Sequence, residues 1–166
     1  MFLAGYRRTK FGSTEQEKAS IKAAQLMAKL YEHLERTGYD DHQASIFLIR
    51  TLFCLYADDA GLWERDLFSR YIEERTSEDG SDLGAQLATL YQALNRPENK
   101  RYGRDDDLIQ AFPYVNGSVF GEAVDIPFFD RESREQLLQA AYFNWSSISP
   151  AIFGSLFQAV KDKKAR

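Results

Sequence analysis

A chain of 166 residues, 44% of them hydrophobic, has the length of one domain and enough apolar side chains for a core, which excludes an intrinsically disordered protein. Its single cysteine, Cys54, excludes an internal disulfide and lies in the most apolar run, where core packing is its expected role. The net charge of −4 is unevenly distributed, because residues 1–22 and 158–166 are basic while those between them are acidic. The N-terminus lacks the apolar segment of a signal peptide, so we expect a cytoplasmic protein.

The chain begins with a basic segment that precedes an amphipathic helix. Residues 1–12 contain two glycines and show no sustained period, which predicts an irregular basic arm. From Ser13 onward, apolar residues recur at the spacing of one helix face, namely Ala23, Leu26, Met27, Leu30, Tyr31 and Leu34. We therefore predict a single helical domain over residues 13–166. Its first helix should start with a capping box from Ser13 to Gln16 and end at Gly38.

Residues 42–60 form the most apolar stretch, and the rest of the fold should be built around it. Arg50 is the only charged residue after the first positions of this run until the acidic pair near its end. A helix that is apolar on nearly all sides is a buried helix, and this one is too short to span a membrane. Asp40 or Asp41 is placed to cap its start, and Gly61 is placed to end it.

Further helices and one hairpin are predicted in the rest of the chain. The helical patterns cover residues 64–75, 83–94, 107–112, 131–143 and 150–160. Ser149 and Pro150 give the last helix a well-defined start. Asn116-Gly117, between short apolar pairs, predicts a type I′ β-hairpin near residues 114–120. The expected fold is mainly α, an orthogonal multi-helix bundle around a buried central helix with one small hairpin.

Basic side chains in a polar loop and at the C-terminus are candidate contacts to DNA. Lysine and arginine neutralise phosphates and release counterions, which gives salt-sensitive binding. The candidates are Arg96, Lys100, Arg101, Arg104, Lys161, Lys163, Lys164 and Arg166. The alternative is that the same residues form only a solvated loop and a frayed helix end.

No motif for catalysis, phosphate binding or metal binding is recognisable. The two histidines, His33 and His42, are too few for a zinc site with one cysteine, and we predict both as surface residues. The acidic run at 105–107 predicts capping of a short helix, because a calcium loop spaces its oxygen ligands at alternate positions. Asp58 and Asp59 should serve either a buried or interface role or the last turn of the apolar helix.

Four stretches together resemble the helical spacer of the MmeI-like family, single-chain restriction-modification enzymes that methylate adenine in DNA. They are FLIRTLFCLYADDAGLW at 47–63, DGSDLGAQLATLYQALNRP at 79–97, FPYVNGSVF at 112–120 and FNWSSISPAIFGSLFQAV at 143–160. The last is the most specific. The resemblance implies a parent enzyme in which a nuclease domain precedes the spacer and a methyltransferase domain using S-adenosylmethionine follows it.

The same resemblance implies that this segment carries no catalytic residue. The Asn-Pro-Pro-Tyr motif and the Gly-rich cofactor loop of such methyltransferases are absent, and the polar chain end indicates that the parent continues past 166. The expected function is to position the nuclease and methyltransferase domains, with weak, non-specific DNA contact and no membrane. One alternative is a free-standing helical adaptor that binds a protein through exposed aromatic residues such as Trp63 or Trp145. Another is a helical hydrolase that uses Asp58 and Asp59.

Overall fold

The computed structural model describes residues 2–102 and 105–165, and within these ranges the chain is mainly α-helical, as predicted. It contains seven α-helices and two 3-10 turns, at Glu98–Lys100 and Trp145–Ser147. The helices are α1 (Phe2–Arg36), α2 (Asp41–Ala60), α3 (Leu67–Arg75), α4 (Leu83–Leu94), α5 (Asp107–Gln110), α6 (Arg131–Ala141) and α7 (Pro150–Ala165). None of the helices in these ranges combines the length and the apolar character needed to cross a membrane.

Helix α1 begins at Phe2, so the prediction of an irregular arm over residues 1–12 is wrong from Phe2 onward. Ser13 lies inside the helix and does not start it. The physical reason is cooperative propagation, since each residue added to an existing helix gains one hydrogen bond. Two glycines weaken a helix by about 1 kcal/mol each relative to alanine, but without a proline they do not break it.

The core lies where α1, α2, α6 and α7 meet. Helix α1 packs against the other three, and α2 also contacts α3 and the 3-10 turn at Trp145–Ser147. Helix α2 contributes buried Phe47, Leu48 and Leu55 to this core, and Cys54 is fully buried there as a free thiol. One side of α2 stays open, since Ile49 is 58% exposed. The α2 helix is therefore a major core element without being enclosed on every side.

Local capping signals were the most reliable guide to the helix ends. The Asp40 carboxylate accepts a hydrogen bond from the Gln43 amide at the start of α2, and Gly61 ends α2 with a φ of 80°. Asp130 and Ser133 form a reciprocal capping box at the start of α6. Ser149 precedes Pro150 and accepts a hydrogen bond from the Ile152 amide. The predicted starts of α2, α6 and α7 are confirmed.

The predicted β-hairpin near residues 114–120 is wrong, since there is no strand within the described ranges. Backbone groups that would form the ladder have other partners: the Val115 amide donates to the Leu94 carbonyl, and the Val119 carbonyl accepts from Arg50. Asn116 does not adopt the positive φ that a type I′ turn requires. The segment instead packs Phe120 into the core as an irregular loop.

The extended segment at 123–130 lies directly against the start of α4. A β-carbon added to Gly84 would lie 2.0 Å from the Pro127 carbonyl oxygen, and one added to Gly80 would lie 2.2 Å from the Asp130 carbonyl oxygen. Only glycine fits such a close backbone approach. The segment is held from the other side by His33, whose Nε2 bonds to the Phe128 carbonyl at 2.9 Å.

Candidate nucleic-acid interface

The loop between α4 and α5 carries four of the predicted DNA contacts, and it is organised around Arg101. The Arg101 side chain is only 3% exposed. Its Nε donates to the Ala93 and Arg96 carbonyls, and its Nη1 donates to the Ile109 and Phe112 carbonyls. These carbonyls belong to the ends of α4 and α5, where helices leave acceptors unpaired. Arg101 therefore joins two helix ends.

This burial changes the role of Arg101 from the predicted one. Burial lowers the pKa of its guanidinium, as expected for a cation taken out of water. Its Nη2 is buried and finds no acceptor among the described residues. A side chain committed to four carbonyls cannot reach a phosphate on the surface, so Arg101 is withdrawn from the DNA candidates.

Arg96 and Lys100 remain as exposed cations of the same loop. The Arg96 guanidinium lies 4.7 Å from the ring centre of Tyr102, and Tyr102 is 76% exposed. Lys100 ends the 3-10 turn and is also exposed. A guanidinium stacked on an aromatic ring is held in place while its charge stays accessible. Among the candidates whose side chains are described, these two remain accessible from solvent.

The other predicted candidates lie outside the part of the chain whose side chains are described. Arg104 and Arg166 fall outside the described residues altogether. The backbones of Lys161, Lys163 and Lys164 lie in α7, but their side chains are outside the description. Their contact with DNA therefore stays a prediction.

The acidic run at 105–107 caps a helix, as predicted. The Asp106 carboxylate accepts hydrogen bonds from the Leu108 and Ile109 amides at the start of α5. The Arg75 guanidinium donates to both oxygens of the same carboxylate, at 2.9 and 3.0 Å, and this lowers the pKa of Asp106. Among the described residues, no group of three histidine, cysteine or acidic side chains could hold a metal ion.

Asp58 and Asp59 are structural acceptors. Asp58 is buried and receives hydrogen bonds from the Trp63 indole, the Phe68 amide and the amide and hydroxyl of Ser69. It thereby caps α3, which starts at Leu67 instead of the predicted residue 64. Asp59 accepts from the Trp145 amide at 2.7 Å. With both carboxylates committed to these donors, the hydrolase alternative has no free carboxylate pair.

The adaptor alternative named Trp63 and Trp145 as examples of exposed aromatic residues, and neither is exposed. Trp63 is 7% and Trp145 is 1% exposed. The Trp145 indole donates to the Ala140 carbonyl, and its ring packs edge-on against Phe153 and Tyr56. Both side chains are core anchors, so protein binding through them is excluded.

The histidines differ from each other. His42 is exposed, as predicted, and its Nε2 lies 3.2 Å from the Glu122 carboxylate. His33 is 4% exposed and stacks on Phe129 with 5.7 Å between the ring centres, so its prediction as a surface residue is wrong. The extended segment at 123–130 covers the face of α1 that appeared free in the sequence.

One buried cation was missed by sequence reasoning. Arg50 is 3% exposed, and its Nε and Nη2 donate to the Val119 and Glu122 carbonyls at 2.8 and 2.5 Å. The signal was present, because Arg50 is the only charge among the central apolar residues of α2. Arg50 fixes the irregular loop at 119–122 against this helix.

Three comparisons point to the same kind of protein. Residues 42–120 match the family model described as MmeI, helicase spacer domain. DNA methyltransferase A of Bacillus subtilis (strain 168) is 35% identical over 171 residues, which cover 99% of this chain and 19% of the relative. The solved structure of the type IIL restriction-modification enzyme MmeI in complex with DNA shares 48% identity with a TM-score of 0.79, covering 84% of this chain and 19% of that one.

The chain therefore spans about one fifth of the length of these relatives. The family-model match lies over α2, α3, α4, α5 and the irregular loop, and the solved structure shares the fold over most of the chain. From these findings, residues 42–120 belong to the MmeI helicase spacer domain family, and over most of its length the chain is similar to one segment of an MmeI-type restriction-modification enzyme and of a DNA methyltransferase.

Proposed function

We propose that this chain is a rigid spacer that fixes the position of a methyltransferase domain relative to DNA and to a nuclease domain. The proposal is supported by a core continuous through α1, α2, α6 and α7 and by relatives that are about five times longer than this chain. A body of packed helices keeps its two ends at a fixed distance, whereas a flexible linker does not.

We further propose that the domain touches DNA phosphates without reading bases. Arg96 and Lys100 are exposed at one edge, and α7 carries Lys161, Lys163 and Lys164 near its end. Phosphate contacts of this kind set position and carry no sequence information. The relative whose structure is known was solved with DNA, which supports DNA as the partner.

The methyl donor of the parent enzyme would be S-adenosylmethionine, as the resemblance implies. The described ranges contain no strand, and the sequence has no Gly-rich turn of the kind that holds such a nucleotide in α/β folds, so the proposal places the methyl donor in another domain of the parent. We therefore assign to this chain no step of methyl transfer. Its contribution is geometric, since correct placement of reacting groups alone accounts for a large part of many rate enhancements.

A domain exchange tests the spacer role. The matching segment of the Bacillus subtilis DNA methyltransferase A is replaced by this chain, and DNA methylation is measured with labelled S-adenosylmethionine. We expect the chimera to methylate DNA with the same site preference as the parent. A folded chimera that binds DNA but does not methylate it would contradict the spacer role.

A salt titration tests the phosphate contacts. We expect the 166-residue chain to bind duplex DNA weakly and independently of sequence. Arg96→Gln and Lys100→Gln should each reduce the slope of log affinity against log salt by about 1. Arg131→Gln is the matched control, because Arg131 is exposed but lies on α6, away from this loop. Sequence-specific binding that survives high salt would contradict the proposal.

A further inference from the structure

A cleft of about 400 Å³ lies between the C-terminal half of α4 and the loop at 120–125. This volume is within the range of about 300 to 1,000 Å³ that is usual for small-molecule sites. Its polar and aromatic lining includes Arg50, Tyr91, Gln92, Asn95, Arg96 and Tyr102. The cleft is therefore lined by two guanidinium groups, two amides and an exposed aromatic ring.

The Arg50 guanidinium lining this cleft is a buried cation with no carboxylate of the described residues within ion-pair distance. Its bonds go to neutral carbonyls, and none of the ion pairs within the described ranges involves it. Burial lowers the pKa of this arginine, which reflects the cost of keeping a charge there. The Nε and Nη2 donors are taken by the Val119 and Glu122 carbonyls, so an anion in the cleft would offset that cost through a charge-assisted hydrogen bond from the Nη1 group.

Two acidic residues also line the cleft, but their carboxylates have other partners. Glu122 pairs with His42 at 3.2 Å, and Asp125 accepts from the Gln43 side-chain amide at 3.3 Å. Both partners belong to the first turn of α2. The two carboxylates thus contact side chains at the start of α2. Arg50 and Arg96 supply the positive charge of the cleft.

The rim of the cleft has the chemistry that recognises a nucleobase. The guanidinium carbon of Arg96 lies 4.7 Å from the centre of the Tyr102 ring, and Tyr102 is largely exposed, so the two groups supply a stacking surface. Bases that leave the helical stack are held on such aromatic rings and guanidinium planes. The amides of Gln92 and Asn95 can hydrogen-bond to base edges. A base pair inside a duplex could not enter, so the base must be unstacked.

From this arrangement we infer that the cleft binds one unstacked nucleotide, with its phosphate on Arg50 and Arg96 and its base against Tyr102. The inference deepens the proposed DNA contact and rests on it for the origin of the nucleotide. The shared chemistry is a phosphate ester joined to a planar base. It comes either from an unpaired position of a DNA strand or from a free mononucleotide.

NMR titration of the 166-residue chain tests this site directly. Deoxyadenosine monophosphate is added, and the Arg50 Nε–H and the amides of residues 95–102 are followed. We expect these signals to shift with a dissociation constant on the order of 1 mM, which is weak binding. Arg96→Gln and Tyr102→Ala should each weaken binding at least fivefold. Both residues are exposed, so the variants should fold, and Arg131→Gln is the control that should leave binding unchanged.

Two further ligands distinguish a DNA strand from a free mononucleotide as the source of the bound nucleotide and test the need for the phosphate. Deoxyadenosine, which lacks the phosphate, should not shift Arg50. A ten-residue single-stranded oligonucleotide that shifts the same signals at concentrations at least tenfold lower identifies a DNA strand, and binding of the mononucleotide alone identifies a free ligand. The inference is overturned if Arg50 is unmoved by every phosphate probe, if deoxyadenosine binds equally well, or if Arg131→Gln weakens binding as much as Arg96→Gln. The domain exchange described above measures methylation, so the spacer role can stand when this site fails.

Discussion

At the scale of single residues, buried charges in this protein close the ends of helices. Asp58 caps the start of α3, Arg101 joins the ends of α4 and α5, and the buried Arg134 donates to the Thr76 hydroxyl at the end of α3. A buried charge is costly unless it is fully hydrogen-bonded. Here the donors and acceptors left free at helix ends supply most of those bonds, and the Nη2 of Arg101 is the exception.

Replacing Asp58 by alanine should destabilise the protein strongly. The change leaves the Trp63 indole N–H and the Phe68 and Ser69 amides buried without an acceptor. Each such orphan costs about 1 to 3 kcal/mol, so we expect the free energy of unfolding to fall by about 3 kcal/mol or more in urea denaturation. Asp105→Ala, at an exposed site, should change it by less than about 0.5 kcal/mol. Equal stability of the two variants would contradict the assigned role of Asp58.

Substitutions of Arg101 and Arg96 should affect stability and DNA binding differently. Arg101→Met removes the donor to four carbonyls, and we expect a loss of about 2 to 4 kcal/mol in thermal or urea unfolding. Arg96→Met should cost less than about 1 kcal/mol, since only its exposed contact with Tyr102 is lost. An Arg101 variant with wild-type stability and reduced DNA binding would restore Arg101 as a phosphate contact.

The pair of Arg75 and Asp106 should make part of the stability depend on pH. The Arg75 guanidinium lowers the pKa of Asp106 in the folded state, so the unfolded chain takes up a proton first as the pH falls. This contribution is present above the usual carboxyl pKa of about 4 and is lost as the pH falls through the lower folded value. We expect Asp106→Asn to lose less stability than the wild type between pH 5 and pH 2.

The partner variant supplies the check on this pH dependence. Arg75→Gln should flatten the same acid-side loss, and the double variant should behave like either single variant. If Asp106→Asn keeps the full acid-side decline of the wild type, the stability at low pH is governed by other carboxyl groups.

Sequence reasoning at this scale failed where the partner lies far away in the chain. Arg96 and Arg101 occur in the same polar loop and look equivalent in sequence, yet one is exposed and the other bonds to residues as distant as Phe112. His33 was expected on the surface because the segment at 123–130, which covers it, lies about ninety residues further along. Only tertiary structure distinguishes such residues.

At the scale of helices and loops, the capping residues predicted the helix ends correctly, whereas the Asn-Gly dipeptide did not predict a β-hairpin correctly. The caps at Asp40, Gly61, Asp130 and Ser149 act on groups within four residues, so the sequence alone could indicate them. The Asn116-Gly117 turn needed its flanking residues to pair with each other. Those flanks bond to Leu94 and Arg50 instead, which is a competition that no local pattern records.

Gly84→Ala tests the close approach of the extended segment to α4. The added β-carbon would lie 2.0 Å from the backbone oxygen of Pro127, so either α4 or the segment must move. We expect a loss of about 1 to 3 kcal/mol, as for overpacking in general, despite the better helix propensity of alanine. Gly154→Ala in α7 is the matched control, because nothing lies within 4 Å of its added β-carbon.

The free energy of unfolding of the control variant should change in the opposite direction. Gly154→Ala is expected to raise the free energy of unfolding by up to about 1 kcal/mol through helix propensity alone. Similar effects of the two substitutions would show that the segment at 123–130 does not pack on α4 as described.

At the scale of the whole molecule, the helices form one body with a continuous core. The core extends from Ala23 of α1 to Phe153 of α7, so the first and last helices contribute to the same packed interior. Close-packed interiors transmit displacement instead of absorbing it. This rigidity is the physical basis of the proposed spacer role.

The most direct measurement of that role replaces the rigid domain by a flexible linker of the same length. In the Bacillus subtilis DNA methyltransferase A, the segment that matches this chain is exchanged either for this chain or for a Gly/Ser linker of equal length, and the rate of DNA methylation is compared. We predict that the helical domain preserves the methylation rate. The flexible linker, which does not fix the distance between its ends, should lower that rate by at least about 100-fold. Methylation that is retained with the flexible linker would contradict the claim that this domain acts by holding its neighbours in place.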